Sequence, residues 1–127
     1  MIDVISNFLS SLKNGVNLKK SMIEIPKSRR VKILIFFLIR QGYLVGFYEN
    51  HESGVYRVFI NYEKGHPIFW GIFRISKPSR HVYISIKTLK YIHNQYFFFV
   101  LSTNVGYLSN TQALYKNIGG ELICLFY

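Results

Sequence analysis

The sequence predicts an α/β (α+β) protein of two small packed lobes, the first helix-strand-helix-strand-strand and the second mainly β with short helices. Three observations predict it. The chain has 127 residues, 50% apolar and 17% charged, which suits one globular unit or two small lobes, rules out two large independent domains and lies far from the disordered regime. Apolar positions switch along the chain between helical spacing and short β-branched or aromatic runs. Turn signals rich in Gly, Asn, Pro and Ser separate these segments, with no internal repeat or low-complexity linker between them.

Taken in order, Asp3 is a helix N-cap, and Val4, Ile5, Phe8, Leu9 and Leu12 follow at helical spacing to a stop at Asn14-Gly15. Residues 22–25 suit a short strand that Pro26 ends. Ser28 then caps a second helix running to Gln41 and closed by Gly42. This helix is apolar over most of its circumference, so it is expected to be largely buried. Residues 43–48 and 55–62 are aromatic and β-branched and flank the polar loop 49–54, which predicts a hairpin. The first lobe ends at residue 65.

The second lobe, 66–127, follows the turn Glu63-Lys64-Gly65-His66. Residues 67–76 are expected as a strand, Lys77-Pro78-Ser79-Arg80 as a turn, and 81–86 as another strand. A short helix at 88–94 and a buried strand at 96–102 come next. Ser109 caps a helix running to Asn117, ended by Gly119-Gly120, and the closing strand is 121–126.

Sixteen Lys and Arg against six Asp and Glu give a net charge of +10. That excess favours a polyanionic partner, RNA, DNA or an anionic membrane, through a field reaching about 8 Å at physiological salt. The longest apolar runs, 33–39 and 96–101, are far short of the roughly 20 residues a bilayer helix needs. Residues 1–12 carry Asp3 and no Lys or Arg, so neither a signal peptide nor a transit peptide is expected. The single cysteine, Cys124, sits in an apolar run and is expected to be a buried hydrophobe in a chain that holds without disulfides.

Nothing in the sequence suggests catalysis. His51, His66, His81 and His93 lack metal-ligand spacing, Asp3 is the only aspartate, and the five glutamates are scattered over separate elements. No metal, cofactor or small-molecule substrate is expected, and a nuclease would lack an acid or histidine group to activate water.

Three constellations fit nucleic acid instead. Lys13, Lys19, Lys20, Lys27, Arg29, Arg30, Lys32 and Arg40 cluster against the single Glu24, partly at a helix start whose free N–H groups favour phosphate; a solvated basic face is the other reading. Arg74, Lys77 and Arg80 lie beside His81 and Tyr83. Cations beside aromatic rings suit phosphates and stacked bases, although Tyr83 also fits a core position. Most specific is Ser102-Thr103-Asn104-Val105-Gly106-Tyr107, ahead of Asn117-Ile118-Gly119-Gly120-Glu121. Hydroxyls and an amide beside a glycine can read base edges, ribose hydroxyls and phosphates, and the same residues also suit a capped turn. On the RNA reading, removing the hydroxyl of Ser102 or Thr103 is expected to leave the fold intact.

The ordered set of motifs resembles the family of the eighth protein of the bacterial-type small ribosomal subunit, over essentially the whole chain. The resemblance rests on Asp3 through Lys13-Asn14-Gly15, Ile25-Pro26-Lys27-Ser28-Arg29, Gln41-Gly42-Tyr43, Arg74-Ile75-Ser76-Lys77-Pro78 and Tyr83. Above all it rests on Leu101-Ser102-Thr103-Asn104 with Gly106, followed by Ile118-Gly119-Gly120-Glu121-Leu122-Ile123-Cys124. It implies two α/β lobes, the second making most primary RNA contacts, binding to the central domain of small-subunit rRNA early in assembly, and neighbouring ribosomal proteins as partners. The implied rRNA-binding residues are Ser102, Thr103, Asn104, Gly106, Tyr83, Lys77, Arg80, Gly119, Gly120 and Glu121, with Lys13, Asn14, Lys27, Ser28, Arg29 and Arg30 in the first lobe. Asn104 stands where the family has a hydroxyl, Val105 where it has a lysine, Ser79 where it has a glycine and His81 where it has an arginine.

A peripheral membrane protein is the alternative reading of the same charge, but it would need a basic face opposite an apolar one on a single helix. Finally, Ile occurs sixteen times and Ala once, at Ala113, and 17% of residues are aromatic. Such usage suggests A+T-rich coding, and with it a mitochondrial rather than plastid ribosome in the organelle's matrix.

Overall fold

The computed structural model describes residues 4–92 and 97–127 and shows the mixed α+β class that the periodicity predicts. Two compact units divide the chain, Met1–Trp70 and Gly71–Tyr127. Asp3, His93, the end of the expected helix at Asn94 and the start of the expected strand at Tyr96 lie outside the described residues.

In the first unit the elements are α1 (Val4–Asn17), β1 (Met22–Pro26), α2 (Arg29–Arg40), β2 (Leu44–Asn50), β3 (Val55–Ile60), β4 (Tyr62–Glu63) and β5 (His66–Pro67). The antiparallel sheet has the order β1-β3-β2, so the predicted hairpin supplies its centre and one edge. Phe8, Leu9 and Leu12 of α1, Ile23 and Ile25 of β1, Leu34, Ile35 and Leu38 of α2, and Val58 and Ile60 of β3 are all buried. Each such aliphatic or aromatic side chain contributes roughly 1.5–3 kcal/mol.

Two expectations for this unit are corrected. Asn14-Gly15 does not end α1, which continues to Asn17. Gly15 is buried in the last turn of the helix, where a Cβ would fall 2.6 Å from Ile23 Cγ2, so this glycine permits close packing. The stop comes at Lys19, left-handed at φ 56°, with Lys19 N–H donating to the Val16 carbonyl at 3.1 Å and Lys20 N–H to Gly15 at 2.8 Å. That is the paired bonding of a Schellman end. The second helix is buried on one side only: Ile33 and Phe36 are exposed while Val31, Leu34, Ile35 and Leu38 are not. Ser28 occupies its N-cap position without a side-chain cap bond.

The second unit contains β6 (Ile72–Arg74), β7 (Tyr83–Ile84), α3 (Ile86–Ile92), β8 (Phe98–Thr103), β9 (Gly106–Ser109), α4 (Asn110–Lys116) and β10 (Gly120–Phe126). Strand β10 pairs with β8 along one edge and with β7 and then β6 along the other, and β9 closes the sheet beyond β8. Leu89 of α3 and Ala113 of α4 pack with Ile84, Phe99, Leu101, Leu108 and Leu122 of the sheet into one core.

Here, too, the boundaries differ. The strand expected at 67–76 is broken between Pro67 and Ile72: Phe69 is buried against Tyr43, 5.7 Å between ring centroids, and ladder bonding resumes only at Gly71, which exchanges backbone bonds of 3.0 Å with Tyr127. The strand expected at 81–86 is reduced to Tyr83–Ile84, and α3 starts two residues early because the Ser85 side chain accepts the Thr88 N–H at 3.3 Å. Helix α4 is closed by Asn117, left-handed at φ 57°, and not by Gly119-Gly120. Its N-terminus carries the predicted Ser109 cap as a reciprocal box with Gln112, at 3.2 and 3.0 Å.

Cys124 is buried, as its apolar run predicts. Burial pushes its thiol from 9.0 up to about 12, with Arg74 pulling it partly back down. The folded protein therefore keeps a proton that the unfolded chain releases, so this group's contribution to stability is intact below about pH 9 and lost as the pH rises toward about 12. Iodoacetamide should leave Cys124 unmodified in the native protein at about pH 8 and label it promptly in urea, followed by mass spectrometry.

Candidate nucleic-acid interface

Strand register assembles the site in the second unit. Glu121 of β10 stands opposite Tyr83 of β7 on one side and Ser102 of β8 on the other, and Ser102 stands opposite Tyr107 of β9. Directly opposed residues in a sheet share a face, and adjacent strands are about 4.8 Å apart. Tyr83, Glu121, Ser102 and Tyr107 thus form a row about 14 Å across. Their chain neighbours Ile84, Leu122, Leu101 and Leu108 fill the core beneath the helices, which turns the row to the opposite face. Tyr83 is 74% exposed, so the core reading of this tyrosine is excluded.

At one end of the row, His81 Nδ1 lies 2.6 Å from Glu121 Oε2, and the His81 and Tyr83 rings are 6.4 Å apart. Glu121 is the only acid between residues 71 and 127, against six Lys and Arg. Its pairing with His81 is not visible in the sequence, where the two are forty positions apart. Tyr107 closes the motif singled out in the sequence, but the sequence does not predict the strand that sets it opposite Ser102. The signal for it was the alternation Gly106-Tyr107-Leu108-Ser109, too short to register as a strand.

Beyond the row, Thr103 and Gly106 pair across the β8–β9 hairpin, leaving Asn104 and Val105 exposed at its tip. Gly106 has φ +107°, a conformation that L side chains rarely adopt. Thr103 Oγ1 donates to the Gly106 carbonyl at 2.7 Å and accepts the Val105 N–H at 3.2 Å. The capped turn is therefore real, and Thr103 makes it. The Ser102 hydroxyl has no hydrogen bond among the described residues.

Gly119 and Gly120 serve the sheet itself. A Cβ on Gly119 would fall 2.5 Å from the Ile84 carbonyl oxygen, and one on Gly120 would fall 2.5 Å from that of Ser102. Glycine at both positions lets β10 slide between β7 and β8, and this close approach sets Glu121 between Tyr83 and Ser102.

The basic groups separate. Lys77 and Arg80 are exposed at the two ends of a tight turn closed by reciprocal backbone bonds of 2.9 Å. Ser76 anchors that turn from below: it is buried, its hydroxyl donates to the Leu122 carbonyl, and it accepts the Val82 N–H at 3.0 Å. Arg74, expected beside them, is half-buried and folds its Nε–H onto the Ser76 carbonyl.

In the first unit Lys13 and Asn14 are exposed on α1, and Asn14 borders a cleft of about 480 Å³ with Ser11, Lys20 and Glu24. Arg29 and Arg30 are exposed in the first turn of α2, after Ser28. Lys27 is 3.6 Å from Glu49 and Lys32 is 3.9 Å from the same carboxylate, so two cations of this cluster are partly neutralised.

A sheet face bearing aromatic rings, hydroxyls and a carboxylate, bordered by the exposed cations Lys77 and Arg80, has the makings of an RNA-binding module. The model of the family described as ribosomal protein S8 matches residues 3–127. A small ribosomal subunit protein uS8 of Caulobacter vibrioides is 35% identical over 130 residues, covering 100% of this chain and 98% of the relative. Those of Chlamydia trachomatis and Ehrlichia canis are 34% and 32% identical over 97% and 96% of this chain, and 95% of each relative is covered. The chain belongs to the ribosomal protein S8 family.

The hydrogen bonds divide the two hydroxyls of the hairpin. Thr103→Ala should cost about 0.5–1.5 kcal/mol of folding stability because it releases the turn. Ser102→Ala should stay within about 0.5 kcal/mol of the parent. Urea unfolding of the two variants checks this; equal losses would contradict the assignment.

Proposed function

We propose that this protein is a structural constituent of the small ribosomal subunit, binding the central domain of its rRNA and supporting assembly, with no enzymatic activity. The whole-length family match carries this reading, and the row across the sheet gives it a chemistry. In it, Tyr83 and Tyr107 offer ring faces to unstacked bases, Ser102 and the Asn104 amide bond base edges or ribose hydroxyls, and Lys77 and Arg80 meet phosphates. Glu121 repels phosphate, so its place is against amino or hydroxyl donors. Gly106, Gly119 and Gly120 act by shaping the backbone beneath these groups. Lys13, Asn14, Lys27, Ser28, Arg29 and Arg30 supply weaker, less selective attraction, and adjacent ribosomal proteins complete the surroundings.

Binding to a folded rRNA helix with an irregular centre should fall steeply with salt, log K dropping for each tenfold rise in salt by about 0.9 per phosphate neutralised, the duplex-DNA slope. Ser102→Ala should cost about 1–3 kcal/mol on that RNA alone, whereas Arg29→Ala should weaken every RNA alike and flatten the salt slope. Filter binding across a salt series reads both effects; equal affinity for any hairpin of the same length would overturn the reading.

We further assign the protein to the mitochondrial small subunit, in the matrix. Sixteen Ile against one Ala and a 17% aromatic content support this. Sucrose-gradient fractionation of the source cell should find the protein in mitochondrial small subunits; finding it in cytosolic ones, or free in the matrix, would overturn the assignment.

A further inference from the structure

Helix α2 carries a second, unassigned surface. Its buried residues Val31, Leu34, Ile35, Phe37 and Leu38 define one side, with Phe37 at its margin. Arg29, Ile33, Phe36 and Arg40, at intervals of four, three and four residues, form a stripe on the other side at about 100° per residue. All four are exposed, Ile33 by 57% and Phe36 by 45%. The stripe is therefore an apolar centre between two guanidinium groups about 16 Å apart along the helix axis. The Phe36 ring is not loose: it meets Phe47 of β2 edge-on, 5.2 Å between centroids. Neither arginine has an ion-pair partner among the described residues, whereas Glu24 pairs with Arg57 and Glu49 with Lys27 and Lys32.

We infer that this stripe docks an acidic amphipathic segment of a neighbouring protein, with apolar side chains seated on Ile33 and Phe36 and carboxylates meeting Arg29 and Arg40. Charge decides among the possible occupants. A second copy packed antiparallel across a twofold axis would set Arg29 against Arg40 of its mate, like charge on like. A nucleic-acid backbone would match the arginines but would leave Ile33 and Phe36 facing phosphate and ribose with nothing apolar to cover them. A lipid surface binds helices whose apolar face runs continuously, whereas here two side chains are enclosed by cations at both ends. Arginine and an ordered aromatic ring are the residue types that dominate protein interfaces. Arg29 also borders the basic cluster at the start of α2, so the distinctive marks of this surface are Ile33, Phe36 and Arg40.

This inference rests on the ribosomal reading, and the experiment separates the two. Phe36 is replaced by the photocrosslinker p-benzoylphenylalanine in the full chain, and small subunits are isolated from the source cell and irradiated. Incorporation of the variant chain into the particle tests the ribosomal reading by itself. Within particles that contain it, a crosslink to a protein peptide with Asp or Glu on both sides of an apolar centre is the expected result. Adding Arg40→Glu should lower that crosslink several-fold, while Arg40→Lys should retain it. A crosslink to RNA, lipid or a second copy, a peptide without flanking acids, no crosslink at all, or a yield insensitive to Arg40→Glu would overturn the docking surface and leave the ribosomal reading standing.

Discussion

Strand β10 is hydrogen-bonded along both edges, and the second unit depends on that position. The strand can occupy it because Gly119 and Gly120 present no Cβ to the carbonyls of Ile84 and Ser102. From there the register runs outward to Tyr83 on one side and through Ser102 to Tyr107 on the other. A side chain at either glycine would push apart strands whose alignment puts an aromatic ring, a carboxylate, a hydroxyl and a second ring into one line. The same strand, further along, buries Cys124 and stacks Phe126 on Phe98, 5.8 Å between centroids. One end of that face is thus sealed and the other open, and the polar and aromatic groups occupy the open end.

The first unit solves a different problem with similar means. Its sheet is covered by α1 and α2, and the tight fit of α1 over β1 requires Gly15 to lie where a side chain would strike Ile23. Its positive charge is not one continuous patch. Glu49 draws in Lys27 and Lys32, and Glu24 draws in Arg57, which leaves Lys13, Arg29, Arg30 and Arg40 on the two helices, and Lys19, Lys20 and Lys64 outside them, as outward cations. Exposed pairs of this kind contribute little to stability, about 0–1 kcal/mol each, so their consequence is chiefly where the field remains positive.

Much of this was legible in order along the chain. The helical spacing of Val4 to Leu12, the Ser109 cap with Gln112, the hairpin around residues 49–54 and the apolar run holding Cys124 are local signals, because each depends on residues a few positions apart. The charge excess is legible in the same way, from composition alone. Glycine was the misleading letter. At Gly15, Gly119 and Gly120 it resembles a helix stop, yet in each case it answers the close approach of a strand, eight positions away at Gly15 and eighteen or more at Gly119 and Gly120. Thr103 and Ser102 look equivalent in the sequence, and only the path of the chain through Gly106 shows that one hydroxyl is consumed by the turn while the other is free of it.

The sequence by itself determined the mixed α+β class, the order of the main elements, the basic character and the family, since periodicity, capping and motif order are written residue by residue. Tertiary structure alone decided which residues stand together. Glu121 meets Tyr83, Ser102 and His81 because antiparallel register joins positions about twenty to forty residues apart. Ile33 and Phe36 remain outside because a helix nearly apolar all round can bury only the side that its neighbours cover. Pairing and coverage are properties of the packed chain, and they have no expression in the order of its residues.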